Sequence, residues 1–352
     1  MNGAKRLGNI ILPIKSLSVI LRLVHFYIFS EMRLLLFISL YLLSFLVGGQ
    51  VKEESFQVAF YNVENLFDTI HTSYKDDYEF TPTGKRHWTS EKYWLKQHHT
   101  SRVILGLGGW RGPEVIGLCE VENLQVLWDL TRNTNLKGYN FIHHESEDVR
   151  GIDVAFLYRK DSFKPLFDTI IKVELGKDSR PTRDILYVRG IGNQDTLHFF
   201  VNHWSSRWGG KSQTEQKRIN AARALRHSLS ALNDTMPNAK IIIMGDFNDS
   251  PQDKSLEREL ILKSDSTLTN LSKTNKEVLG TIKYQNQWTL FDQIIVSINL
   301  TTQLNSFSIY HPEWLKMDDA VYGGKTLFRS FKGSEFLGGY SDHFPVYFFL
   351  SR

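Results

Sequence analysis

The sequence carries one cysteine in 352 residues. Cys119, in "EVIGLCEVEN", has no partner for an intramolecular disulfide, so the covalent staples common in small exported proteins are excluded. A chain of this length buries enough apolar surface without them, and Cys119 reads as a small core residue with no catalytic task. Charge of one sign is also lacking. The formal +4 comes from the first 49 residues, where Lys5, Arg6, Lys15, Arg22 and Arg33 face only Glu31. Without them the 42 basic and 38 acidic residues fall to 37 of each. A neutral body excludes a global basic field for avid non-specific binding of duplex DNA, so any phosphate recognition must be local. No internal repeat and no low-complexity linker divides the body, which predicts one domain. The acids Asp76, Asp77 and Glu79 do not have EF-hand spacing and read as a solvated loop.

Long hydrophobic runs are confined to one place. After Met32 and Arg33 comes "LLLFISLYLLSFLVGG", uncharged and ending in small residues. This is the pattern of a secretory signal over residues 32–49, with cleavage near Gly48 or Gly49. An uncleaved membrane anchor is the alternative. Residues 1–31 then lie upstream of the signal, and an over-extended start, with Met32 as initiator, accounts for them. The expected product is an exported protein, periplasmic or extracellular, whose working domain spans residues 50–352.

Across that domain, apolar runs of strand length recur: "FQVAFYNVENLF", "EVIGLCEVEN", "GIDVAFLYR", "TLHFFVNHW", "AKIIIMGDFN", "LFDQIIVS" and "DHFPVYFFL". Between them lie two helical patterns. "TEQKRINAARALRHSLSAL" repeats Ile219, Ala222, Leu225 and Leu229 at helical spacing, with Thr214 as the expected N-cap, and "ENLQVLWDLTRN" places Leu124, Leu127 and Leu130 on one face. Mixed strands and helices predict an α/β fold of mixed sheets covered by helices. The polar stretch "HTSYKDDYEFTPTGKRHWTSEKYW" is, by its length, the expected functional loop.

The stretch "IIIMGDFNDSP" ends a strand apolar on both faces by presenting an acid and an amide. Two readings fit. Asp246 and Asn248 share parity on an extended chain and so converge at the strand's end, or they form a turn that caps it. The same kind of ending recurs: Asn62 after "VAFY", Glu120 after "IGLC", Asn202 and His203 after "FFV", Asp292 in "LFDQIIV", and Asp342 with His343 before the last strand. Carboxylates gathered in one crevice repel unless a cation or substrate compensates.

In this order, "NVENLF", "LCEVEN", "VNHW", "GDFND" and "GYSDHFPV" resemble the motifs of the metal-dependent endonuclease/exonuclease/phosphatase superfamily, which shares the fold of deoxyribonuclease I. The resemblance covers about residues 55–351 and implies a four-layer sandwich: two mixed β-sheets face to face, flanked by helices. It implies that Glu120 is the principal ligand of a divalent cation, Mg²⁺ with Mn²⁺ as a substitute, with Asn62 and Asp342 nearby. Glu122 shares parity with Glu120 and is the rival ligand. It further implies that Asp292 holds His343, that His203 stabilises phosphoryl charge or protonates the departing oxygen, that Asp246 positions or deprotonates the attacking water, and that Asn248 holds a phosphate oxygen.

Arg183 is the first candidate for a substrate-phosphate contact and Arg150 the second. Asp153 is the candidate to orient His203. In "NHWSSRWGGK", Trp204, Arg207 and Trp208 read either as a stacking and phosphate-gripping loop or as a clasp on the loop holding Trp88. Asp249 is left with a turn-forming role. The resemblance implies hydrolysis of a phosphodiester by in-line attack of water, without a Ser or Cys nucleophile. The expected protein is an exported endonuclease acting on nucleic acid, monomeric and without an obligate protein partner. A phosphodiesterase or phosphatase on lipid head groups or small phosphate esters, and a non-catalytic binding module, are the alternatives.

Overall fold

The structure, a computed structural model, describes residues 22–29, 31–33, 35–37, 39, 55–109, 111–176, 179–262, 267–274, 280–304 and 307–351. It divides into a unit Met1–Glu54 and a unit Ser55–Arg352. In the first, residues 22–29, 31–33 and 35–37 are helical and expose Leu23, Phe26 and Phe29. Most of the apolar run read as an export signal, including Gly48 and Gly49, lies outside the described residues. Among the described residues no helix is long and apolar enough to cross a membrane.

The second unit is built on two six-stranded sheets. The first contains β1 (Phe56–Leu66), β2 (Val115–Val121), β3 (Tyr139–His143), β4 (Asp153–Arg159), β11 (Ser308–Ile309) and β12 (Val346–Leu350), in the order β11-β12-β1-β2-β4-β3. The second contains β5 (Phe163–Ile171), β6 (Ile185–Gly192), β7 (Asp195–His203), β8 (Lys240–Asp246), β9 (Leu268–Asn270) and β10 (Asp292–Ser297), in the order β5-β6-β7-β8-β10-β9. Each sheet has one parallel pair, β1 with β2 and β7 with β8; the other pairs are antiparallel.

The double-sided apolar character of β8 has a simple cause. Ile242 and Met244 join the core between the sheets, with Phe60, Leu118, Phe156, Phe199 and Val201. Ile241 and Ile243 point the other way, into a second core with Ala222, Leu225 and Leu229 of helix α3 (Lys211–Thr235). Period-2 alternation thus serves both layers at once. Helices α1 (Ser90–Leu107) and α2 (Leu124–Arg132) pack their buried residues Val103, Ile104, Val126 and Leu127 against the first sheet, which completes four layers. The sheets meet closely at Gly117, where a Cβ would lie 2.7 Å from Met244 Sδ.

Three local expectations need correction. Helix α3 begins at Lys211 with Gly210 as its N-cap, because Gly209 and Gly210 take the positive φ that turns the chain into it. Thr214 lies inside the first turn and hydrogen-bonds back to Gly210 O at 2.9 Å. Leu124 is exposed, since α2 starts there, capped by Asn123 Oδ1, which accepts from Val126 N at 3.0 Å. The polar stretch from His71 is half scaffold: Ser90 to Trp94 open α1, and Phe80 and Trp88 are buried against Phe331.

Topology also gathers the polar strand ends. Both parallel pairs run their C-terminal ends to the same edge, so Asn62 sits beside Cys119 in register and His203 beside Asp246. The antiparallel β10 starts at that edge with Asp292 opposite Asp246, and β12, antiparallel to β1, begins just after His343.

Candidate active site

Glu120 stands where β2 is interrupted, at φ +63°, and the register slips between Cys119 and Val121. Left-handed backbone at a residue with a Cβ costs about 1–2 kcal/mol, and such strain collects at functional positions. Here it is held by specific bonds. Glu120 Oε2 accepts from Asn65 N at 2.9 Å and Oε1 from Asn62 Nδ2 at 3.4 Å, while Glu64 and Asn65 are themselves left-handed. The bulge also sets Glu120 apart from Glu122. The two no longer share a face: Glu120 keeps 16% of its side chain exposed, whereas Glu122 is buried and accepts from Asp68 N at 2.6 Å.

"GDFND" takes the turn reading, since Asn248 is left-handed at φ +50° and the shared parity of an extended chain does not apply; Asp246 alone reaches the cluster. Its Oδ1 accepts from Asn248 N at 3.0 Å, a turn that caps β8. Its Oδ2 accepts from Asn62 Nδ2 at 3.1 Å and lies 3.7 Å from His203 Nε2 and 3.8 Å from His343 Nε2. His203 Nε2 is also 3.8 Å from Glu120 Oε1. His343 Nδ1 meets Asp292 Oδ2 at 2.7 Å, both buried. Asn62, Glu120, His203, Asp246, Asp292 and His343 are therefore one cluster.

The two imidazoles are driven apart electrostatically. Burial opposes charge on His343, but Asp292 and Asp246 outweigh it and hold its pKa well above the ordinary value. His203 is pushed well below by burial, with Arg183, Arg150 and His343 adding to it. Burial, with Asp292 and Glu120 against the opposing His343, raises Asp246 to about 7.

Asp342 enters through a network that sequence patterns did not reveal. Arg329 Nη2 donates to Asp342 Oδ2 at 2.7 Å and reaches Glu64 Oε1 at 3.4 Å. Buried Glu64 accepts from Ser330 N and Phe331 N, and Lys96 Nζ donates to Ser330 Oγ at 2.6 Å. Ser341 Oγ donates to Asn62 O at 2.7 Å and accepts from His343 N at 3.0 Å, tying the end of β1 to the histidine. The Ser of "GYSDH" was the available signal. Glu64 and Arg329 are too far apart in sequence to leave one.

The flanking candidates fall differently. Arg183 is buried, bonded to Asp148 Oδ2 at 3.0 Å and Trp204 O at 2.7 Å, and props the loops instead of facing solvent. Arg150 keeps 46% of its side chain exposed and is the reachable one. Trp204 cannot stack on a substrate: its ring is buried edge-on to Phe247 and its Nε1 donates to Asn202 Oδ1 at 3.1 Å. Trp88 packs elsewhere, on Phe331 and Phe336, so no Trp88–Trp204 clasp forms. Arg207 spends its guanidinium on Asn248 O, Asp249 and Asp253. Trp208, in the same loop, is 90% exposed. The Asn248 amide donates to Trp204 O at 3.0 Å. Asp249 does more than form a turn, making a buried ion pair with Arg218 Nε at 2.8 Å. Asp153 does not orient His203, whose Nδ1 has no partner among the described residues; its carboxylate accepts instead from Ser146 N.

The donor set fits a hard divalent cation. Glu120 and Asp342 offer carboxylate oxygens, whereas Asn62, expected as a ligand, turns its Nδ2 to Glu120 and Asp246 and gives its Oδ1 to Glu64 N at 3.0 Å; the carboxylates of Glu120, Asp246, Asp292 and Asp342 outnumber the cationic His343 and Arg329. Over residues 57–352 the chain matches the model of the Endonuclease/Exonuclease/phosphatase family. The chain belongs to this family. Members of the family are phosphoester hydrolases and generally use divalent metals. Among solved structures, a mannosyl-6-phosphatase from Bacteroides thetaiotaomicron is 19% identical, with 84% of this chain and 98% of that chain covered and a TM-score of 0.55. A humanized Danio rerio TDP2 is 16% identical, with 85% and 99% covered and a TM-score of 0.55. The human Nocturnin catalytic domain is 15% identical, with 84% and 94% covered and a TM-score of 0.51. At these identities the likeness is one of fold. No curated protein sequence matches the chain.

Proposed function

We propose that this protein is an exported, divalent-cation-dependent hydrolase that cleaves phosphodiesters by in-line attack of water, acting as an endonuclease on nucleic acid. One observation carries the reading: Asp246 Oδ2 lies within 4 Å of His203 Nε2 and His343 Nε2, beside Glu120. An acid between a neutral and a charged imidazole can manage the protons of a displacement. Glu120 and Asp342 would hold Mg²⁺ or Mn²⁺, with the Asn62 amide fixing Glu120 through Nδ2 at 3.4 Å; the ion when bound neutralises charge on the phosphoryl oxygens.

Asp246 orients the water and accepts its proton as the new oxygen–phosphorus bond forms. His343, fixed through Nδ1 by Asp292, directs Nε2–H at the phosphoryl group. The old phosphorus–oxygen bond breaks, the departing oxygen takes the Nε2 proton of His343, and the proton accepted by Asp246, 3.8 Å from that nitrogen, restores it. Arg150 and Arg329 flank the site as cations for substrate phosphates. Exposed Trp208 supplies a surface on which a base can stack.

A second reading is a phosphatase or phosphodiesterase on small phosphate esters or lipid head groups. The balance of 37 basic and 37 acidic residues in the body favours it, because long polyanions gain most from a basic surface. A substrate panel of plasmid, RNA, sphingomyelin and sugar phosphates, assayed with Mg²⁺ and Mn²⁺, separates the two. Cleavage of plasmid or RNA, weakened in Trp208→Ala, supports the endonuclease; turnover of the small esters alone refutes it. Mass spectrometry of the secreted protein tests export, with a new N-terminus expected near Gln50 and an intact Met1 in the cytoplasm as the contrary result.

A further inference from the structure

Beside the Glu120 bulge, at the edge of the first sheet, β3 ends at His143 and β4 begins at Asp153, which pairs with Val121. The His143 side chain is fully buried, yet neither ring nitrogen has a hydrogen-bond partner among the described residues. Asp153 is equally buried, and only its Oδ1 is engaged, by Ser146 N at 3.1 Å; Oδ2 is unpartnered. Leaving buried polar atoms unpaired costs about 1–3 kcal/mol each, so three in one place need a reason.

The geometry supplies one. His143 Nε2 and Asp153 Oδ2 lie 3.7 Å apart, too far for a hydrogen bond. Two ligands each about 2.1 Å from a tetrahedral ion are separated by about 3.4 Å. Glu145, on the exposed side, brings a third ligand atom within 4.8 Å of both. One imidazole and two carboxylates form a mixed nitrogen and oxygen set suited to Zn²⁺ and its neighbours, in contrast to the all-oxygen sets of Mg²⁺ and Ca²⁺.

We infer that His143, Glu145 and Asp153 form a second metal site, selective for a zinc-class dication and separate from the catalytic cation. The ion would clip the ends of segment 144–152, which is also held by Lys75 Nζ on Ser146 O and Asp148 O, at 3.0 and 2.9 Å. That segment carries Arg150 and, through Asp148, anchors Arg183. The site is therefore a structural clamp behind the substrate-facing arginine.

The test is Zn²⁺ binding by the full-length protein in excess Mg²⁺, by equilibrium dialysis, with Co²⁺ absorption as a second readout. Glu120→Gln is expected to retain a Zn²⁺ that Glu120→Gln/Glu145→Gln binds about tenfold more weakly or not at all. Glu145 is exposed, so its substitution leaves the fold intact; Asp153→Asn and His143→Ala are expected to weaken binding likewise. Bound Zn²⁺ should raise the melting temperature of wild type and not of Glu145→Gln. The inference is overturned if Glu120→Gln binds no Zn²⁺, or if the Glu145, Asp153 and His143 substitutions leave binding unchanged.

Discussion

Replacing Asp292 by Asn separates chemistry from stability at this site. The carboxylate receives His343 Nδ1 at 2.7 Å with both side chains buried, and a hydrogen bond to a charged group is worth about 1.5–3 kcal/mol. The amide can still accept from a neutral imidazole, so the net loss of stability should be about 1–2 kcal/mol. In a body of about 300 residues that lowers the melting temperature by roughly 1.5–3 °C. The chemical cost is larger. Without Asp292 the imidazole loses the main partner for its charge and its fixed orientation, and acid–base assistance of this kind is worth about 10²–10⁴ in rate. That is about 3–5 kcal/mol in the barrier. The assay is the initial rate of bis-p-nitrophenyl phosphate hydrolysis, set beside a thermal melt of the same preparation. A surface control is available in Asp168→Asn, which removes an exposed bond to His144 Nε2 of 2.6 Å and should change neither readout appreciably. Asp292→Asn activity within about threefold of wild type would refute the reasoning, since general acid–base assistance should cost at least a hundredfold.

Three further outcomes follow from other parts of the structure. At the left-handed Glu120, Gly relieves strain that Ala keeps, so urea unfolding should find Glu120→Gly more stable than Glu120→Ala by about 1 kcal/mol, with both inactive. Gly245→Ala would put a Cβ 2.5 Å from Asn202 O, where β7 and β8 run side by side; a loss of about 1–3 kcal/mol in chemical denaturation is expected, with reduced activity as His203 and Asp246 shift apart. His198 is lowered from 6.5 to about 4 by burial and by Arg189. The unfolded chain therefore takes a proton that the folded one refuses as pH falls from 6.5 towards 4, and stability is lost over that window. His198→Asn should flatten this part of the profile of urea midpoint against pH, and an unchanged profile would contradict the assignment.

Much of the fold was legible because its strands are central. Ile241 to Met244 read as doubly buried and are so, because β8 faces a core on each side. The polar strand ends were legible as a set because each flanks an apolar run; the parallel pairs carry those that follow a run, and antiparallel β10 and β12 those that precede one, to one edge. What escaped was backbone geometry and long-range pairing. Parity could not decide between Glu120 and Glu122, because the bulge at Glu120 is imposed by bonds from Asn62 and Asn65 on another strand. Glu64, Lys96 and Arg329 leave no local pattern, since their bonds join segments remote in sequence. Trp204 and Trp208 look equivalent in "NHWSSRWGGK", yet Asn202 Oδ1 draws the first indole inward, whereas the second is 90% exposed and nothing comparable holds it among the described residues. Arg183 and Arg150 both meet Asp148, but Arg183 is buried with a second bond to Trp204 O while Arg150 stays exposed.

The central claim is that the cluster around Glu120, Asp246 and His343 is a cation-dependent phosphodiester hydrolase. Its most direct test is the hydrolysis rate of bis-p-nitrophenyl phosphate by purified protein, with Mg²⁺ or Mn²⁺ and after EDTA, in wild type, Glu120→Gln and His343→Ala. The expected result is turnover by wild type that EDTA abolishes and the metal restores, with both variants folded and slowed by about a hundredfold or more. Turnover that survives EDTA, or that is unchanged in Glu120→Gln, would contradict it.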